Sequence, residues 1–164
     1  MFLIITLQVI VEDDCALPIG KGITGGRGVA GTCFVHKIAG ALAASGSSLD
    51  DVYDKAVEAA KQIGSLGVAL TVCTIPGKEP SQRLSADPRV YEVGMGIHGE
   101  PGREQRQLPI DSAADTVADI MVEGILGSAD LQIPRRLQVR IHNCLILSFS
   151  SCYLYACIDS FRNA

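Results

Sequence analysis

The pattern of apolar and polar positions predicts short strands alternating with amphipathic helices. Residues 2–11 form a near-continuous apolar run rich in Ile and Val, which is typical of a strand covered on both faces. Residues 68–73 and 91–95 predict two further strands, separated by a proline-containing loop over residues 75–88. We therefore predict an α/β fold, in which a layered sheet is flanked by helices.

Three segments have the spacing of helices. Residues 32–44 place their apolar side chains on one side, as an amphipathic helix does. The second helix is expected to begin at Ser48, because Ser48 and Asp51 form a capping-box-like pair that satisfies free backbone amides. Gly64 and Gly67 are expected to end it, and residues 111–126 predict the third helix.

Composition narrows the class of protein. The chain has 164 residues, a formal net charge of −4 and no basic stripe, which argues against a general nucleic-acid binder. Its six cysteines lack the spacing of a metal site, so we expect buried, reduced thiols, no bound metal and a cytoplasmic protein. Residues 141–158 are apolar but interrupted by polar side chains, so no membrane interaction is predicted.

The character of the chain changes after about residue 132. Residues 133–164 have weak periodicity and half of the cysteines. The sequence therefore predicts a domain over residues 1–132, followed by a tail over residues 133–164 that does not continue it and is mis-spliced or disordered.

The candidate for chemistry is His98, in the glycine-rich stretch VGMGIHGEPG at residues 93–102. A neutral imidazole is a nucleophile or proton carrier near pH 7, and glycines let a small ligand approach the backbone closely. Glu100 is placed to orient the ring or to bind ligand hydroxyls. An incidental histidine in a surface turn is the open alternative, and His36 is interpreted as a packed or edge histidine of the first helix.

Two other features give weaker signals. The glycine-rich residues 20–32 lead into a helix N-terminus, where free amides favour anions, but a loop packed tightly against a sheet explains them as well. Asp13 and Asp14 end the first apolar run, and we expect them to be solvated.

Four ordered segments resemble a known family. VEDDCALP, GGRGVAGTCFVHKIAGALAASG, LGVALTVCTIPG and GIHGEPG together resemble the substrate-binding K domain of dihydroxyacetone kinases, over about residues 7–126. The resemblance implies that an imidazole nitrogen of His98 adds to the carbonyl carbon of dihydroxyacetone and forms a hemiaminal. It also implies substrate contacts at Gly96, Gly99 and Glu100.

The same resemblance implies partners that this segment does not contain. In the family, ATP and Mg are bound by a separate all-helical L domain, in cis or in trans, and K domains form homodimers. Dihydroxyacetone is the expected substrate, and the sequence leaves open whether glyceraldehyde is also taken. The family's Gly-Ser-Gly-His-Glu-Pro loop and Gly-Asp motif are missing from this sequence, and residues 25–28 read Gly-Gly-Arg-Gly where the family has Gly-Arg-Arg-Gly.

These departures lead us to expect a partial K domain that binds no cofactor itself and does not transfer phosphate alone. Two other interpretations remain open. One is a non-catalytic module that binds short ketoses, and the other is an inert truncated fragment.

Overall fold

The computed structural model describes residues 4–18, 25–74, 76–79, 81–85, 87–128 and 153–159. Within them the helices are α1 (Thr32–Ala44), α2 (Leu49–Gln62) and α3 (Ala113–Leu126). The strands are β1 (Ile63–Ala69), β2 (Val90–Val93), β3 (Glu104–Gln107) and β4 (Tyr153–Asp159).

The sheet has the order β3-β2-β1-β4, with antiparallel pairing between neighbours. Every residue of β1 is buried. Because successive strand side chains point to opposite faces, Ile63 and Ala69 pack with α1 and α2, whereas Leu66 and Val68 pack with α3. Helices thus flank the sheet on both sides, and the predicted α/β class is confirmed.

The helices follow the predicted spacing closely, since their signals are local. Helix α1 has the predicted bounds and buries Val35. At the start of α2 the Ser48 hydroxyl accepts a hydrogen bond from the Asp51 amide at 3.1 Å, which confirms the predicted cap. Helix α3 begins at Ala113 rather than at residue 111.

The predicted end of α2 is wrong. Gly64 and Gly67 lie inside β1, and the chain passes from helix to strand at Ile63, whose backbone is extended. Gly67 is used for pairing, because its carbonyl accepts a hydrogen bond from the Gly94 amide at 2.7 Å. Strand β1 therefore covers residues 63–69 rather than 68–73, and β2 covers residues 90–93 rather than 91–95.

The predicted buried strand over residues 2–11 is also wrong in its described part, residues 4–11. Ile4 is 82% exposed and Ile10 is 70% exposed, while Val9 and Val11 are partly buried against α1 and α2. The first bridge to the sheet comes only at Asp14, opposite Ser65. Apolar character alone does not make a strand, because the ladder also needs a neighbouring chain along its edge.

Some predictions fall on residues that the structure does not describe. The tail over residues 133–164 lies outside the described residues, except for the backbone of β4.

The expectation of buried thiols is wrong for Cys33 and Cys73, which are exposed. Among the described residues, no helix is both long and apolar enough to cross a membrane.

Candidate functional site

The glycine-rich stretch after β2 forms a compact turn that carries His98. Gly94 and Gly99 have φ angles of 75° and 84°, a left-handed region that side chains disfavour. The Gly99 amide donates to the Gly96 carbonyl at 2.9 Å, and the Gly96 amide donates to the Glu100 carbonyl at 3.0 Å. These bonds hold His98 at the tip of the turn.

His98 and Glu100 contact each other in this turn. The His98 side chain is 80% exposed, and its Nδ1 lies 3.1 Å from Glu100 Oε1. Glu100 Oε2 also accepts a hydrogen bond from the His98 amide at 3.0 Å. Because a carboxylate only accepts, the proton of this contact lies on Nδ1, and neutral His98 then has a lone pair on Nε2. Gly96 leaves room for the carboxylate, since a Cβ there would overlap Glu100 Oε2.

The contacts within the turn change the acidity of Glu100. Desolvation by burial raises its pKa, but hydrogen bonds from its own amide and from the ring and amide of His98 outweigh this, so the pKa lies below its ordinary value of 4.5. A lowered pKa means that the carboxylate stabilises the folded turn above pH 4.5 and that this stabilisation is lost as the pH falls through the folded pKa.

A pH titration checks the contact. We expect the Glu100 carboxyl carbon, followed by NMR, to titrate with a midpoint below 4.5 in the parent chain. In a His98→Ala variant the midpoint should rise, because the ring contact is lost. A parent midpoint at or above the ordinary value would contradict the arrangement.

Two charged residues, Glu92 and Arg83, stabilise the turn by hydrogen bonds to its backbone. Glu92 of β2 is buried, and its Oε1 accepts a hydrogen bond from the Gly102 amide at 2.6 Å. Arg83, from the loop before β2, donates both to the Glu92 carboxylate and to the Gly99 carbonyl. Neither residue was singled out from the sequence. A glutamate between two apolar residues of a buried strand was the available signal, since a buried charge needs a partner.

Arg27 joins the start of the turn to the first segment. Its Nη2 donates to the Gly94 carbonyl at 2.8 Å and lies 2.8 Å from Asp14 Oδ2. Burial raises the pKa of Asp14, against the lowering effect of the Ala16 amide and of Arg27. The expectation that Asp14 is solvated is wrong, because it is buried and paired.

Asp13 is also buried, and its carboxylate closes the entry to α1. It accepts hydrogen bonds from the amides of Val29 at 2.8 Å and Gly31 at 2.6 Å, and from the Ser65 hydroxyl. A Cβ on Gly31 would lie 2.6 Å from Asp13 Oδ2, which explains the glycine. Residues 25–32 are the described part of the glycine-rich stretch for which an anion site was one interpretation. Their amides at Val29 and Gly31 bond to the protein's own carboxylate, so the interpretation as a tightly packed loop holds for these residues.

Other candidate positions lie apart from the turn. His36 is exposed on α1, as expected for an edge histidine. A cavity of about 510 Å³ lies between the first segment and α2, and Asp13, Cys15 and Tyr53 are among its lining residues. His98 is not among them. Within the described part of the chain, no cluster of three or more His, Cys, Asp or Glu side chains has metal-site geometry.

Comparison with known proteins decides the family. The model of the Dak1 domain matches residues 4–155. The chain belongs to the Dak1 domain family. A putative 3,4-dihydroxy-2-butanone kinase of Solanum lycopersicum is 55% identical over 127 residues, which are 77% of this chain and 20% of that protein. A triokinase/FMN cyclase of Rattus norvegicus is 42% identical over 117 residues, which are 71% of this chain and 20% of that protein.

Two further Dak1 relatives have names that refer to dihydroxyacetone. The dihydroxyacetone-binding subunit of a PTS-dependent dihydroxyacetone kinase of Listeria innocua is 45% identical over 102 residues, 62% of this chain and 30% of that subunit. The native crystal structure of the dihydroxyacetone kinase of C. freundii superposes with a TM-score of 0.73 at 30% identity, covering 94% of this chain and 33% of that chain. The chain thus spans about a fifth of the length of the first two relatives and a third of the crystallised kinase.

Proposed function

We propose that this chain holds the substrate of a dihydroxyacetone kinase by forming a reversible covalent bond from His98 to the ketone. The observation that carries the proposal is the exposed His98 ring, whose Nδ1 contacts Glu100 and whose Nε2 lone pair is therefore available. A Dak1 relative named as a dihydroxyacetone-binding subunit supports the choice of ligand.

The proposed capture step balances in atoms and charge. The Nε2 lone pair forms a bond to the carbonyl carbon, and the carbonyl π electrons move to the oxygen, which takes a proton from water. The ring becomes positively charged until its Nδ1 proton is released to water. Glu100 stabilises that charge through its contact with Nδ1, and the product is a neutral hemiaminal.

The covalent bond accounts for selectivity toward a small ketone. Dihydroxyacetone has few atoms, and non-covalent contacts to so few atoms give limited affinity. Glycerol has no carbonyl group, so it cannot form the adduct. In the proposal Gly96 and Gly99 leave space at the backbone for the tetrahedral carbon, and Glu100 also binds a ligand hydroxyl. Glyceraldehyde has a carbonyl group and is a second possible ligand of the same site.

In the proposal, phosphate transfer depends on a separate L domain, which binds ATP and Mg in cis or in trans. At the entry to α1, the amides of Val29 and Gly31 donate to Asp13 and so are not free for a phosphate group. A homodimer of the K domain is the expected assembly. This chain alone captures the ketone without phosphorylating it.

Titration with two ligands tests the proposal. We expect the His98 ring signals in NMR spectra to shift with dihydroxyacetone and to stay unchanged with glycerol at equal concentration. With dihydroxyacetone, ATP and Mg present, the chain alone should release no ADP. An equal response to glycerol would contradict covalent capture, and no response to either ligand would favour the inert-fragment interpretation.

A further inference from the structure

Arg83 links the turn that carries His98 to strand β2. One end of its guanidinium donates to the Gly99 carbonyl, and the other donates to the Glu92 carboxylate. The Glu92 side chain is only 5% exposed, whereas that of Arg83 is 30% exposed, so the carboxylate end of the pair is shielded from water. Because the guanidinium is planar with donors in fixed directions, it fixes the two acceptors relative to each other.

Glu92 is a suitable anchor for this link. In addition to the hydrogen bond from Arg83, its carboxylate accepts hydrogen bonds from the Gly102 amide at 2.6 Å and from the Gln105 side-chain amide at 3.2 Å. These contacts tie the carboxylate to the end of the turn and to β3, while its backbone belongs to β2. The Gly99 carbonyl is therefore held against the sheet through Arg83.

The Gly99 carbonyl also helps to orient Glu100. It shares one rigid peptide plane with the Glu100 amide, and Gly99, at a φ of 84°, is a residue with unusual backbone freedom. Fixing the carbonyl oxygen fixes this plane and the position of the Glu100 Cα, and the bond from the Gly96 amide to the Glu100 carbonyl restrains the other side of the residue. Together they limit the direction in which the Glu100 side chain leaves the backbone. That side chain makes both contacts to His98, one to the ring and one to the amide.

We propose that Arg83 is a positioning residue, which holds the Glu100 carboxylate on His98 Nδ1 and thereby keeps the lone pair on Nε2. The inference rests on the proposed function, because it assigns Arg83 a role in the capture step of that site. Arg83 acts through Glu100 and needs no contact with the ligand.

Replacing Arg83 by lysine tests this role while retaining a positive charge beside Glu92. A single ammonium lacks the two-pronged geometry of the guanidinium, so the bond to Gly99 is lost while the ion pair with Glu92 is kept. We expect the affinity for dihydroxyacetone to fall about tenfold, as for loss of a hydrogen bond that involves a charged group. In ¹H–¹⁵N spectra of the ring without ligand, the His98 nitrogens should move from the Nδ1–H pattern toward an average of both tautomers.

Arg89→Lys is the matched control. Arg89 lies near Arg83 in the chain and pairs with Asp87 at 2.9 Å on an exposed surface. The same exchange there should leave both the affinity and the tautomer signal unchanged. A second variant, Glu92→Gln, removes the charge that holds Arg83, and we expect it to shift the tautomer signal in the same direction as Arg83→Lys.

The outcomes separate this inference from the proposed function. Parent-like affinity and tautomer signal in Arg83→Lys would overturn the inference, and so would a loss of affinity with an unchanged tautomer signal, because Arg83 would then act only through general stability. If the parent chain does not respond to dihydroxyacetone, the proposed function fails, but the ligand-free tautomer signal still decides whether Arg83 positions Glu100.

Discussion

We expect the His98→Gln variant to lose dihydroxyacetone capture completely while keeping its fold. Glutamine has no nucleophilic nitrogen, so the bond to the carbonyl carbon cannot form. Its amide can still donate a hydrogen bond to Glu100, and the position is 80% exposed, so the free energy of unfolding should change by no more than about 0.5 kcal/mol. Calorimetric titration with dihydroxyacetone measures the loss, and urea unfolding checks the fold.

His36→Gln is the control for this variant. His36 is exposed on α1 and takes no part in the turn, so the variant should capture dihydroxyacetone as the parent does. Capture at the parental level by His98→Gln would show that the nucleophile is another group.

The second large effect is expected at Asp13, on stability. Its buried carboxylate accepts hydrogen bonds from Val29, Gly31 and Ser65, residues that are far from it in the chain. Asp13→Ala leaves two buried donors, the Gly31 amide and the Ser65 hydroxyl, and the partly buried Val29 amide without this acceptor. Each loss at a buried donor costs roughly 1–3 kcal/mol. We therefore expect the free energy of unfolding in urea to fall by about 3 kcal/mol or more, which is a large part of the stability of a small domain.

Asp119→Ala provides a comparison at an exposed position of α3. Alanine is a better helix former than aspartate, so this change should raise the free energy of unfolding slightly, by no more than about 0.7 kcal/mol. If Asp13→Ala and Asp119→Ala have equal effects, the Asp13 carboxylate does not hold the first segment to α1.

The helices could be predicted from the sequence because their signals are short-range. The apolar spacing of α1 and the Ser48 cap of α2 depend on residues within one or two turns. The helix-to-strand transition at Gly64 and Gly67 could not be predicted in the same way, because glycine is common both after helices and in closely packed strands. Their place in β1 depends on pairing with segments distant in the sequence.

The site was only partly predictable for a related reason. The glycine pattern and the family resemblance indicated His98 and Glu100, which are two residues apart and in contact. Asp13 was expected to be solvated and Arg83 was not singled out, because their partners are separated from them in the sequence. Gly31 and Ser65 lie 18 and 52 residues from Asp13, and Glu92 and Gly99 lie 9 and 16 residues from Arg83. Sequence spacing does not show such partners.

The most direct test of the account is a ¹³C NMR spectrum of the chain with dihydroxyacetone labelled at its carbonyl carbon. We predict a protein-bound signal in the region of tetrahedral carbons attached to nitrogen and oxygen, present with the parent chain and His36→Gln and missing with His98→Gln. A bound ligand whose labelled carbon keeps the shift of a ketone, or an adduct signal that persists in His98→Gln, would contradict covalent capture by His98.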